Sequence, residues 1–335
     1  YGWLMAVPIR LSNVFKYPFF EFGIRYIHAA KKSLIQGYLN LGKRYLYAYA
    51  LITLISTFTI LAALYVVTSG LLINLFQIKA IGVAGVALCL FALIAGLLII
   101  GRYALLEDSL KLIISVLFIA LLATTILVLN KGAVDPVAHF KPPYVFNETG
   151  ILFLISLMGW MPTAVEASGW VSMWSVEKMK NNETDTSVKQ AIREFNLGYF
   201  LTALLALFFM VIGCMTLFGT GVELSGNAVV FADQVVGLFT AHIGDWAYFI
   251  IAIGAFATMF STCMTAHDAV SRVSLDVLDK LAPQSSTFIS KYAFATMVLV
   301  LACINWLVIF LFSADMGNLV ALATFVSFVM APLLG

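Results

Sequence analysis

Charge is scarce in this sequence. Asp, Glu, Lys and Arg make up 11% of its 335 residues, against about 25% in soluble domains, while hydrophobic residues reach 62%. That balance excludes a soluble globule and makes the lipid bilayer the chain's first partner. A net charge of +2 supplies no basic face for nucleic acid. Cysteine is also scarce: Cys89, Cys214, Cys263 and Cys303 fall in four different apolar runs with no pairing spacing. They imply no disulfide framework and read as small buried apolar residues. The four histidines are scattered, and no pair of acids or nucleophile with its base converges within an apolar run. An intramembrane protease or transferase needs such a constellation, so the chain does not read as an enzyme. It has no nucleotide-binding glycine loop and implies no resident cofactor or obligate protein partner.

What is abundant is apolar sequence of membrane-crossing length. Runs at 1–22, 48–75, 80–101, 109–130, 150–175, 195–218, 245–268, 291–312 and 316–335 each approach the roughly 20 residues a helix needs to span. About nine spans predict an all-α integral membrane protein. Positive residues then set the orientation. Lys16, Arg25, Lys31, Lys32, Lys43, Arg44, Arg102, Lys111, Lys178, Lys180, Lys189, Arg193, Arg272, Lys280 and Lys291 fall on one side, and Lys79, Lys131 and Lys141 on the other. By the positive-inside rule the first set is cytoplasmic in a multi-pass plasma (inner) membrane protein. Asn147-Glu148-Thr149 and Asn182-Glu183-Thr184 match the glycosylation pattern by chance.

One span is interrupted. Met158-Gly159-Trp160-Met161-Pro162 is followed by Thr163 and by a carboxylate, Glu166. Proline takes away a backbone donor at membrane depth, and broken helices of this kind hold substrates and ions in secondary transporters. Many transporters consist of two inverted repeats that each open on a broken helix. The chain is accordingly expected to divide into a first repeat over 1–130, an extracellular loop over 131–149 and a second repeat over 150–335, with the break inside 150–175. The first repeat then lacks its own opening helix, and the chain reads as a fragment that carries half of a binding site.

Three passages resemble the Nramp (natural resistance-associated macrophage protein) family of divalent metal transporters, in one of its bacterial branches. These are Lys16-Tyr17-Pro18-Phe19-Phe20-Glu21-Phe22-Gly23, the Gly159-Trp160-Met161-Pro162 break, and Phe260-Ser261-Thr262-Cys263-Met264-Thr265 with Asp268 and Arg272. The resemblance implies the leucine-transporter-like five-plus-five inverted-repeat bundle and a cargo of Mn²⁺ or Fe²⁺. It also implies metal ligands at the Met161 thioether and the Met158 carbonyl. Thioether chemistry agrees independently, because sulfur is a soft ligand that favours transition metals and offers Mg²⁺ little.

Departures from the family matter as much. Thr163 and Ser168 stand where the family has histidines, the third helix offers Ser56, Thr57 and Thr59 in place of an acidic pair, and Tyr292 to Phe312 holds no arginine. Those groups are associated with proton movement, so their absence argues against ordinary H⁺ coupling. Glu166 is the carboxylate that could replace them, as a proton carrier or a cation way station, and is expected to share a helix face with Thr163 and Trp170. Asn318 and Thr324 on the last span are further candidates for the ion pathway. Asp268 and Arg272 are expected to form a surface ion pair, His267 to be solvated at a helix end, Arg10 to snorkel or face the bundle, and Glu107-Asp108 to join Arg102 in a polar inner loop. Within this frame three alternatives stay open: a magnesium-permissive or uncoupled relative, a degenerate homologue that transports nothing, and a carrier of amino acids.

Overall fold

A computed structural model describes residues 1–101, 103–181, 187–282, 287–312 and 314–334. Every regular element in them is a helix: α1 (Ala6–Ala30), α2 (Leu34–Leu41), α3 (Lys43–Phe76), α4 (Val83–Ile100), α5 (Tyr103–Lys131), α6 (Glu148–Trp160), α7 (Ala167–Asn181), α8 (Val188–Thr216), α9 (Ala228–Ile243), α10 (Tyr248–Leu281), α11 (Thr287–Leu311) and α12 (Met316–Leu334), with short 3-10 turns before α1 and α10. Among the described residues six spans are long and apolar enough to cross a membrane: α3, α4, α8, α10 with the turn before it, α11 from Tyr292, and α12. The chain is an all-α, multi-pass membrane protein. The interrupted span fails that measure because each half is too short, and α1 because Arg10, Lys16, Glu21 and Arg25 punctuate it.

Local chemistry sets the helix starts. Asn147, Ser33, Ser187 and Asn227 each place a side-chain oxygen on a free amide of α6, α2, α8 and α9 respectively, the satisfaction an N-terminus requires. Asn147, which the sequence offered as a glycosylation match, thus serves as a helix cap. Two short helices, α2 and α9, were not expected from apolar run length, because neither is long enough to register as a span.

The core is built on α3. In its most apolar stretch 67% of residues are buried, against 11% for α8, so α3 is surrounded by protein while α8 lies at the periphery. It packs against α2, α4, α9, α10, α11 and α12. Its hydroxyls survive this burial by turning back onto their own helix: Thr57 donates to Thr53 O, Thr68 to Leu64 O and Ser69 to Tyr65 O. Tyr65 stacks on Phe91 of α4 at 3.6 Å between ring centroids. At Gly70 a Cβ would run into the Ala228 carbonyl, which lets α9 seat its first turn directly on α3.

His267 corrects its sequence reading. It is fully buried in α10, with Nδ1 2.9 Å from the Tyr65 hydroxyl and Nε2 3.0 Å from Val298 O. The 34-residue length of α10 carries it past the expected end of the span at 268, so position 267 lies inside the bundle. Tyr65→Phe is expected to strand a buried ring nitrogen and to destabilise the fold by about 1–3 kcal/mol, visible as a lower unfolding temperature in detergent.

The neighbouring Asp268–Arg272 pair forms as expected at 2.9 Å. Trp174 Nε1 adds a bond to Asp268, and the Arg272 guanidinium sits over Phe294. Arg10 is exposed. Glu107 and Asp108 belong to the first turns of α5 rather than to a loop. Arg102 and the Asn182–Thr184 pattern lie outside the described residues.

A broken helix holding a cation

The break follows from arithmetic on Pro162. Met158 O would accept from the amide four residues later, and residue 162 has no N–H to give. Helix α6 therefore ends at Trp160, Met161 turns extended at φ −97°, ψ 120°, and the chain runs irregularly until three short-range bonds, Ala167 N to Ala164 O, Ser168 N to Val165 O and Gly169 N to Glu166 O, lead into α7. The last carbonyls of α6 are left without helical partners near the middle of a bundle, while the first three amides of α7 are taken up by those short-range bonds. A helix C-terminus carries partial negative charge and an N-terminus partial positive charge, so the break presents a cation-attracting end beside an anion-attracting one.

Each end has its charge. Lys16 lies in the middle of α1, 7% exposed, and its Nζ donates to Met158 O at 2.7 Å, Gly159 O at 2.7 Å and Thr163 O at 2.9 Å. All three ammonium hydrogens are used on carbonyls of the break. Glu166 immediately precedes α7 and is 2% exposed. Its Oε1 accepts from Ser56 Oγ of α3 and from Ser327 Oγ of α12, both at 2.9 Å, while Ser327 in turn accepts from Trp160 Nε1 at 3.1 Å. The second oxygen, Oε2, is buried without a hydrogen-bond partner. Lys16 and Glu166 are not within 4.0 Å of each other, so two complementary charges face one break without closing into a salt bridge.

Small residues make this proximity possible. A Cβ on Gly159 would collide with the Thr324 carbonyl, and one on Gly169 with the Tyr49 hydroxyl. Thus α12 lies directly against the first half of the broken helix, and the Tyr49 side chain of α3 reaches the second. On the other side, a cavity of about 690 Å³ runs between α1, α2, the start of α7 and the end of α12, lined among others by Pro18, Tyr26, Gly37, Val165 and Ser168. It reaches the residues that flank Glu166.

The structure brings Met158, Gly159, Thr163, Glu166 and Thr324 to one place. Thr324 is buried, with its hydroxyl returned to Val320 O and Ala321 O, so its carbonyl rather than its side chain meets the break. Thr163 and Glu166 do not share a face: α7 begins only at Ala167, leaving the Thr163 side chain exposed while Glu166 is buried. The Met161 side chain packs against the apolar cluster of Met5, Ile9 and Val145. Asn318 is not among the residues at the break: it is exposed at the start of α12 and bonded through its amide and side chain to Asp315. Among the described residues no three His, Cys, Asp or Glu side chains cluster as a metal site. Any metal here would depend on carbonyl oxygen, sulfur and Glu166.

Sequence reasoning placed Lys16 at the cytoplasmic end of the first span and missed its role. The signal was available: a lysine six residues inside an apolar run is an intramembrane charge, which by default seeks a partner in the bundle.

A sequence comparison bears on ancestry. Over 337 aligned residues the chain is 31% identical to Uncharacterized protein PM0681 of Pasteurella multocida (strain Pm70), a match covering 99% of this chain and 76% of the relative. The chain belongs to the family of that protein. No family model matches it. The aligned stretch covers nearly the whole chain, and the relative's name assigns no activity.

Proposed function

We propose that the chain is a secondary transporter of divalent transition-metal ions, Mn²⁺ or Fe²⁺, working by alternating access in an Nramp-like, five-plus-five inverted-repeat bundle. The observation that carries the reading is the break itself, where three carbonyls already converge on one positive charge at 2.7–2.9 Å. A site that holds an ammonium with carbonyl oxygen has the chemistry to hold a metal ion, and Met161, next to these carbonyls in the chain, would add the soft ligand that favours transition metals once its side chain turns from the Met5, Ile9 and Val145 cluster.

The packing supports the repeat. Exchanging α1 to α5 for α8 to α12 in order maps α3–α4 onto α10–α11, α2–α3 onto α9–α10, α3–α12 onto α10–α5, α3–α9 onto α10–α2 and α3–α11 onto α10–α4, and all of these pairs are in contact. The two longest helices, α3 and α10 at 34 residues each, exchange with one another. The short helices α2 and α9 fall at corresponding places, on opposite sides of the membrane in the positive-inside topology, as inversion requires. The broken α6–α7 pair stands outside the exchange, in the place of a helix that opens a repeat.

Met161→Ala tests the assignment of cargo. Binding of Mn²⁺ to the full-length protein is expected to weaken about tenfold or more, while any Mg²⁺ binding stays unchanged. Equal loss for both ions would remove the thioether from the site. A second reading, an uncoupled or non-transporting homologue, is favoured by one observation: Lys16 already fills the carbonyl site. Saturable Mn²⁺ uptake by the wild-type protein in proteoliposomes decides against the non-transporting form.

A further inference from the structure

Lys16 occupies the oxygens that a transported cation would need. If it stayed there, the break would be plugged, and Glu166 would have no reason to keep a free oxygen at 2% exposure. Glu166 is held in place by one oxygen alone, through Ser56 and Ser327, which leaves the other available. The lysine side chain is long and unbranched, with a point charge on a flexible stem.

We propose that the Lys16 ammonium is a tethered competitor for the transported ion: it fills the cation site at the break when no metal is there and shifts to the free Glu166 Oε2 when one enters. This inference rests on the transport reading. It gives that reading a way to keep the carbonyls of Met158, Gly159 and Thr163 satisfied in the metal-free stage of the cycle, when unpaired carbonyls would sit at membrane depth. It also gives Glu166 a role that requires no proton carrier. The entering ion and the departing ammonium share one set of oxygens, so affinity for metal is set by how firmly Lys16 is held as well as by the ligands themselves.

The test uses the purified full-length protein with Mn²⁺ or Cd²⁺ as the probe. Lys16→Gln keeps amide hydrogens for the carbonyls and removes the charge, and is expected to bind Mn²⁺ about tenfold more tightly than wild type, with Lys16→Arg no tighter than wild type. A lysine with only a structural role would give the opposite order, with Lys16→Gln binding more weakly; that result, or equal binding, overturns the proposal while leaving the transport reading in place. Because Lys16→Gln could fail to fold, the wild-type protein is titrated as well. With ¹⁵N-labelled lysine, the Lys16 ammonium resonance, assigned by its loss in Lys16→Arg, is expected to shift as diamagnetic Cd²⁺ is added. A resonance that stays fixed while Cd²⁺ binds overturns the competition. Failure of wild type and variants alike to bind either metal overturns the transport reading, and the inference with it.

Discussion

Conversion of Glu166 to glutamine is expected to cut Mn²⁺ uptake by about tenfold or more, the equivalent of about 1.4 kcal/mol, with folded protein still recovered. Glutamine has the same size, and its carbonyl can accept from Ser56 and Ser327, so the bonds that locate the side chain persist. What disappears is the negative charge at the start of α7. The ammonium of Lys16 then has no carboxylate to move toward and stays on the carbonyls of Met158, Gly159 and Thr163. Initial uptake rates in proteoliposomes, compared at equal amounts of monodisperse protein, measure the effect. A wild-type rate in Glu166→Gln would take the carboxylate out of the pathway.

Gly159→Val is expected to be the most damaging single change to the fold at the break, at about 3 kcal/mol, the upper part of the usual range for overpacking. The added carbons would meet the backbone carbonyl of Thr324, which cannot rotate aside as a side chain can. Helices α6 and α12 would have to separate, and the Gly159 carbonyl would turn away from Lys16. Gly159→Ala is expected to have the same effect in weaker form. Thermal unfolding in detergent reads the loss; an unchanged transition in Gly159→Val would mean that α6 and α12 are not closely packed in the membrane.

Six of the nine expected spans, and the break, were legible in the sequence because they rest on strong local chemistry. Apolar run length marks a helix in lipid, and a proline four residues after Met158 removes one particular hydrogen bond. The site around the break was only half legible. Glu166 stood out as a carboxylate in an apolar segment, but its partners Ser56 and Ser327 lie 110 and 161 residues away, and nothing in their local sequence separates them from hydroxyls that turn back on their own helix. Lys16 was hidden by the positive-inside rule, which counts a basic residue near a span end without asking whether it points into the bundle. His267 and Asn318 failed for a shared reason. Each sits within a few residues of an expected helix end, where a small shift in the boundary exchanges solvent for core, or a pathway for a capping contact.

The most direct measurement of the central claim is ion uptake by the full-length protein in sealed proteoliposomes, with Mn²⁺ outside and a Mn²⁺-quenched dye within. The account predicts saturable quenching that Cd²⁺ inhibits more strongly than Mg²⁺, that slows in Glu166→Gln and that is absent from protein-free vesicles. Quenching no faster than in protein-free vesicles, from protein shown to be folded, would contradict it and leave the Lys16-filled break as the structure of a membrane protein that does not transport these ions.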